Sequence, residues 1–373
     1  VGTGPFEMTS WKRGDRTVFT AVDNHWRQTA EVTSITRIGV PDETVRLAQL
    51  ATGDADIADV SIANVAETQR IGMTAKGSGA ARMVTMMFAG NLWETNHPTT
   101  GEALDIVTYN NDLPWLGNPH KPADSNNPAG MDDMEQARLV RQALAMSIDR
   151  DLINEAALNG LGWPVYIPYF DINNPNWDDK WKIEYDPDGA EALLDKAGFP
   201  RDSSGQRFKM PMFAWPIGNF YGEIGDNVSI FWEEIGVSTD VLHYEYAVFR
   251  PTLVSRSATQ AWTDTGPLEN YASTPWDYPR GIQMSALARG GKSHGLENPE
   301  STANYQAVSG ESSLQSRIDL NNGYADWMHE WLPGFGIVAA PSLLVFNPNS
   351  ISSWDMELGL RQISNSPEFI KLK

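Results

Sequence analysis

The sequence predicts an α/β protein built from two α/β lobes. Three observations carry this. Strand-like and helix-period segments take turns over residues 32–88, and the same alternation returns over residues 133–241. Between them, residues 90–132 have no periodicity and are rich in Asn, Pro, Gly, Thr and Asp, the composition of a connection rather than of a packed layer. At 373 residues the chain is long enough for two domains of roughly 100–200 residues each.

Taken in order, the chain opens with a hairpin. Gly2, Gly4 and Pro5 punctuate its start, Phe6 and Met8 alternate with polar neighbours, Lys12-Arg13-Gly14-Asp15 makes the turn, and residues 17–22 return. Residues 32–38 alternate as a further strand. Asp42 and Glu43 open a helix to about residue 52, with Val45, Ala48 and Leu50 expected inward, an acid in the first turn to suit the helix dipole, and Gly53 as the stop. Residues 57–60 read as a short strand, Ser61 as the cap of a helix to about residue 71, and residues 83–88 as an apolar strand, with parallel pairing expected among them.

The clearest helix begins at Asp132. Asp132 with Glu135 has capping-box spacing, and Ala137, Val140, Leu144 and Ile148 fall on one face. A second helix over 152–158 ends at Asn159-Gly160. Asp186-Pro187 starts a third, with Ala190, Leu193, Leu194 and Ala197 inward and Gly198 as the stop. A fourth covers 221–235 and ends at Gly236; Val237, Thr239 and Val241 follow as a strand. Residues 262–316 read as polar and irregular, residues 323–331 as a last helix, and 337–341 with 343–346 as a final strand.

Composition excludes several function classes. The net charge of −20, from 48 acidic and 28 basic residues, argues against nucleic acid or an anionic membrane as partner, since both need a basic footprint. No run approaches the roughly 18 apolar residues of a membrane span. There is no cysteine, so disulfides, thiolate nucleophiles and cysteine metal sites are excluded together. The six histidines do not cluster, and Asp54, Asp56 and Asp59 lack the Gly and Glu that a calcium loop would need at 59 and 65, so no metal or cofactor is expected. Gly291-Lys292-Ser293-His294-Gly295 has the Gly-x-Ser-x-Gly spacing of a nucleophile elbow, but its flanks carry no strand signal, and no catalytic residue is assigned.

Five stretches in register carry a family resemblance. The opening Gly-Thr-Gly-Pro-Phe with Trp11-Lys12-x-Gly14-Asp15 closely resembles the extracytoplasmic solute-binding proteins of peptide-type ABC importers, solute-binding family 5. Arg37-Ile38 with Gly53-Asp54-Ala55-Asp56-Ile57, then Val140-Arg141-Gln142-Ala143-Leu144 with Ile148-Asp149-Arg150, resemble its next landmarks. So do Asn159-Gly160 to Pro164 with Tyr185-Asp186-Pro187, and Phe231-Trp232-Glu233-Glu234-Ile235-Gly236-Val237. The resemblance implies a two-lobed clamshell of the periplasmic-binding-protein type (type II, large peptide-binding class). Lobe I would hold residues 1–90 and a C-terminal strand near 341–354. Residues 91–132 would connect irregularly to lobe II at 133–325, and 326–373 would return to lobe I. Family members carry the opening motif well inside the chain. The resemblance therefore implies an incomplete first lobe here, with no signal peptide before Val1, and another segment or a separate chain covering its exposed edges and faces.

The same resemblance implies an extracytoplasmic receptor, in the periplasm or at the cell surface, that closes over a solute and hands it to a membrane permease. The 14 tryptophans suit a cleft that stacks on its ligand. Trp93, Trp163, Tyr166, Trp215, Trp262 and Trp276 lie near loops or element ends, where clefts are lined. Asp264 stands in Trp262-Thr263-Asp264, near where peptide-binding members carry Trp followed by Asp-Tyr and the Asp pairs with a peptide amino terminus. The Tyr is absent here. A peptide is the first expectation and an oligosaccharide the alternative, with a carbohydrate-active hydrolase as a third reading. Three or four stacked rings would support micromolar binding, about −8 kcal/mol.

Overall fold

In a computed structural model of the chain, the alternation in residues 6–38 produces three antiparallel strands: β1 (Phe6–Lys12), β2 (Arg16–Ala21) and β3 (Ser34–Ile38), in the order β1-β2-β3. Gly14 turns the first pair with φ 73°, a left-handed conformation that favours glycine. The structure describes residues 2–88, 96, 100–103, 113–119, 129–168, 170–214, 221–255, 261–268, 299–355 and 366–373. The fold is mixed α/β and divides into two units, residues 1–81 with 341–373, and residues 82–340.

In the first unit, Asp42 caps α1 (Glu43–Thr52) by accepting from the Val45 amide at 3.1 Å, and Gly53 ends the helix with φ 78°. The inward face differs from the one expected. Val45 and Ala48 are exposed, while Leu50 is fully buried and Leu47 packs beside it, against Ala58, Val60 and Val345. Residues at i and i+3 face the short strand β4 (Ile57–Ala58), and this partner chose the face. Ser61 makes no side-chain cap: its amide donates to Glu43 Oε1, and a single 3-10 turn precedes the short helix α2 (Val65–Arg70). The expected parallel pairing is not found for β3 and for the strand at residues 57–58. β3 pairs antiparallel with β2, and β4 pairs antiparallel with residues 345–346 of β10 (Gly334–Phe346). Leu344, Phe346, Ile351, Trp354 and Ile370 form a second small core, over the antiparallel pair β11 (Ile351–Trp354) and β12 (Ile370–Leu372).

The second unit holds the larger core. β5 (Thr74–Phe88) enters it with residues 83–88 buried. α3 (Asp133–Met146) starts at Asp132, which accepts from the Glu135 amide at 2.7 Å. The Glu135 side chain turns to Arg138 instead of back to the cap, so half of the capping box forms. α4 (Arg150–Leu158) ends at Asn159 and Gly160, and α5 (Pro187–Lys196) runs against α3. α6 (Tyr221–Glu234) sends the Trp232 indole to the Leu144 carbonyl at 3.0 Å. β6 (Trp163–Pro164) pairs antiparallel with residues 338–339 of β10. Parallel pairing appears where β7 (Phe208–Phe213) runs beside β8 (Val237–Leu242) and β9 (Ala261–Leu268).

Residues 262–316 are not uniformly irregular as expected. Beyond α7 (Tyr246–Val254), they include most of β9, all of α8 (Pro299–Gly310) and the start of α9 (Leu314–Trp331), which begins nine residues earlier than its apolar spacing suggested. Helix α8 buries Ser301, Thr302 and Asn304 beside Val308, so no apolar stripe announces it.

Candidate functional site

The site grows from residues 161–177, where a strand is laid closely on β10. A Cβ at Gly162 would lie 2.5 Å from the Ala339 carbonyl, and one at Gly336 would lie 2.6 Å from Val165 Cγ1. Only glycine permits this approach. Asn154 then holds Gly162 at both ends: its Nδ2 donates to the Gly162 carbonyl and its Oδ1 accepts the Gly162 amide, at 3.1 and 2.9 Å. Register follows, with Trp163 opposite Ala339, the Val165 amide on the Ile337 carbonyl and the Gly336 amide on the Tyr166 carbonyl.

Trp163 and Tyr166 are both half-buried. The Trp163 indole Nε1 donates to Asp171 Oδ1 at 2.9 Å, and the same oxygen accepts the Asn173 amide and side chain at 2.9 and 3.1 Å. Burial pushes the Asp171 carboxyl above its ordinary range, outweighing the pull of those donors. The guanidinium carbon of Arg150 lies over the Tyr166 ring at 5.1 Å and over the Phe335 ring at 5.7 Å. Arg150 is buried at 4 % exposure and is held by carbonyls rather than carboxylates. Its Nε donates to Val165 and Gly336, and its Nη1 to Ala145 and Ile148. Burial lowers it to about 10, so it stays charged at neutral pH. Burial also pushes the Tyr166 hydroxyl up.

Trp177 extends the aromatic row. Its ring lies 5.9 Å from Tyr166 and 5.5 Å, edge-on, from Trp181, which buries against Phe170, Ile167, Tyr324 and Met328. Beside it a surface cleft of about 550 Å³ is lined by Asn176, Trp177, Asp178, Asp179, Lys180, Trp181 and Asn322. Lys180 is paired with Asp326 at 2.7 Å, and Asp326 also accepts the Trp181 indole. A half-buried aromatic row with an amide and carboxylate rim can stack on an apolar group and hydrogen-bond to its polar end.

Of the seven predicted contact residues, Trp163 and Tyr166 have described side chains, Trp163 bonded to Asp171 and Tyr166 lying against Arg150 and Trp177. Trp262 and Asp264 stand on β9, with Trp262 in register with Phe213 of β7; their side chains lie outside the description. Trp93, Trp215 and Trp276 fall outside the described residues, as does the segment 291–295. Among the described residues no group of three His, Asp or Glu is placed to hold a metal ion, and no helix is long and apolar enough to cross a membrane. The sequence marks Arg150 only as part of the Ile148-Asp149-Arg150 landmark and gives Asp171 and Trp177 no role. The signal for Asp171 and Trp177 was their place in Asp171-Ile172-Asn173-Asn174-Pro175-Asn176-Trp177, whose Asp and Asn side chains bond to the backbone two residues on.

Residues 1–279 match the family model described as bacterial extracellular solute-binding proteins, family 5 Middle. The chain belongs to this family. All five sequence landmarks fall inside the matched span. Family 5 proteins are transport receptors rather than enzymes, which sets aside the hydrolase reading. The dipeptide-binding protein of Escherichia coli K12 is 23% identical over 286 residues, covering 74% of this chain and 45% of its own. Heme-binding protein A of Haemophilus influenzae is 24% identical over 340 residues, 89% of this chain and 54% of its own. The chain thus spans about half the length of these curated relatives.

Solved structures show the same fold. NikA from Brucella suis in complex with Fe(III)-EDTA superposes with a TM-score of 0.74 at 17% identity, over 100% of this chain and 68% of that one. DppA from Helicobacter pylori in complex with the peptide STSA gives 0.68 at 15% identity, over 100% and 63%.

Proposed function

We propose that this chain is the solute-capturing part of an extracytoplasmic ABC-importer receptor, that its solute is an oligopeptide or a similar small molecule, and that it delivers this solute to a membrane permease without chemical change. The observation that carries the reading is the family match over residues 1–279. Relatives named for dipeptides and oligopeptides favour a peptide. The half-buried Trp163 and Tyr166, with their fixed polar partners, supply aromatic surface for its side chains. Capture would proceed by a conformational closure around the guest rather than by bond chemistry.

Isothermal titration of the chain with a pool of di- to tetrapeptides, and separately with an oligosaccharide pool, tests this. Heat of micromolar binding with peptides is expected, and Trp163→Ala and Tyr166→Ala should each weaken it about five- to tenfold, the worth of one stacked ring. Heat with the sugar pool alone would replace the peptide by an oligosaccharide. Heat with neither would end the reading.

A further inference from the structure

Residues 171–181 fold into a run of turns locked by their own side chains. Asn174 Oδ1 accepts the Asn176 amide at 2.8 Å, and the Trp177 amide reaches back to the Asn174 carbonyl at 2.9 Å. Asp178 caps the 3-10 turn Asp179–Trp181 by accepting the Lys180 amide at 3.0 Å. The Trp177 ring is fixed as well. Its Nε1 donates to Asp179 Oδ1 at 3.0 Å, and Phe170 and Trp181 meet the ring edge-on at 5.9 and 5.5 Å. The result is a half-buried indole in the wall of the cleft of about 550 Å³, with Asn176 and, from α9, Asn322 in the same lining. That volume lies in the range of small-molecule sites.

The bonds already made in the cleft select the solute. Lys180 pairs with Asp326 and Asp178, and Lys182 with Asp179. Each of these carboxylates thus has a cation, so a cationic guest gains little. Three acids against two lysines leave the rim slightly negative, which disfavours an anion. The carboxamides differ. Asn176 and Asn322 are half-buried, and their side chains meet no hydrogen-bonding partner among the described residues. Each offers an N–H donor and a carbonyl acceptor, which match hydroxyls that both donate and accept. A flat indole takes the C–H face of a ring. We propose that this cleft is a second binding site, for a neutral sugar ring that stacks on Trp177 and hydrogen-bonds to Asn176 and Asn322. The site is additional to the capture of a transported solute and does not depend on the peptide reading. Because residues 171–181 are locked beforehand, little ordering cost attaches to binding.

The test is fluorine NMR of the 373-residue chain grown with 5-fluorotryptophan, the Trp177 and Trp163 signals being assigned by Trp177→Phe and Trp163→Phe. Titration with the methyl glycosides of glucose, galactose and mannose, and with cellobiose, should move the Trp177 signal for at least one sugar. The Kd expected for one stacked ring and a few hydrogen bonds is about 1 mM, and the Trp163 signal should stay in place. Asn176→Ala and Asn322→Ala should each keep the spectrum of the free chain and weaken that Kd about fivefold. A Trp177 signal that no sugar moves overturns the proposal, and so does an unchanged Kd in either variant. Movement at Trp163 also overturns it, since the sugar would then occupy the site proposed for the peptide. The two readings fail separately: a sugar that moves Trp177, in a chain that gives no heat with peptides, keeps this site and ends the peptide reading.

Discussion

Trp163 and Asp171 form a pair in which an indole N–H is held by a carboxylate that meets no cation among the described residues: Nε1 lies 2.9 Å from Oδ1, and the other described donors to that oxygen come from Asn173. The charge of Asp171 therefore costs stability, while its acceptor oxygen orients Trp163.

The first expectation concerns pH. Burial raises the Asp171 pKa in the folded state, so its stabilising contribution is complete below the ordinary Asp value of 3.8 and is lost as pH rises through the raised value. Asp171→Asn keeps an acceptor and removes the charge. Urea midpoints across acid to neutral pH should show the variant gaining on the parent as pH rises; a constant difference would contradict the assignment.

Glu191 has the opposite sign. Arg201 and Arg207 hold its carboxylate down at about 2, against an ordinary value of 4.5. The pair stabilises fully above the ordinary value and fades as pH falls toward about 2. The carboxylate is more than a third exposed, so solvent screening limits Glu191→Gln to a loss of about 1 kcal/mol at neutral pH. That loss should shrink on acidification, read from the same urea series.

Arg150→Met tests the buried guanidinium. The substitution keeps apolar length but strands the carbonyls of Val165 and Gly336, where Nε donates at 3.1 and 3.0 Å. A loss of about 3 kcal/mol is expected from denaturant unfolding, with Arg150→Lys intermediate. A variant as stable as the parent would show those carbonyls to be satisfied without it.

Gly336→Ala places a methyl group 2.6 Å from Val165 Cγ1 and 2.9 Å from the Tyr166 amide. Overpacking should cost about 1–3 kcal/mol and shift residues 163–166 off β10. Gly205→Ala offers a contrast: its added Cβ meets nothing within 4 Å, but its φ of 86° makes the strain purely conformational. Tryptophan fluorescence should move for the first substitution and stay for the second.

How far the fold could be read depended on whether a signal was local. The hairpin at Gly14, the caps at Asp42, Asp132 and Asp186, and the stops at Gly53, Asn159 and Gly236 were legible, because each is set by the conformational needs of one residue and its near neighbours. The inward face of α1 was not, since Val45 and Leu47 are equally apolar and the choice belongs to the core they meet. Helix α8 was invisible because it buries Ser301, Thr302 and Asn304, whose pattern carries no apolar period. In the site, Trp163 and Tyr166 were legible as aromatics at an element end. Arg150 and Asp171 were not, because a charged residue reads as solvated until its burial is known.

The amino-acid order alone thus determined the α/β class, the ends of most helices and, through motifs in register, the family. Tertiary structure alone decided strand partners, which helix faces are buried, and which polar groups share the surroundings of Trp163 and Tyr166. The reason is distance along the chain: a cap or turn is closed by residues within a few positions, whereas Val165 and Gly336, or Trp163 and Ala339, become neighbours only when the whole unit has folded.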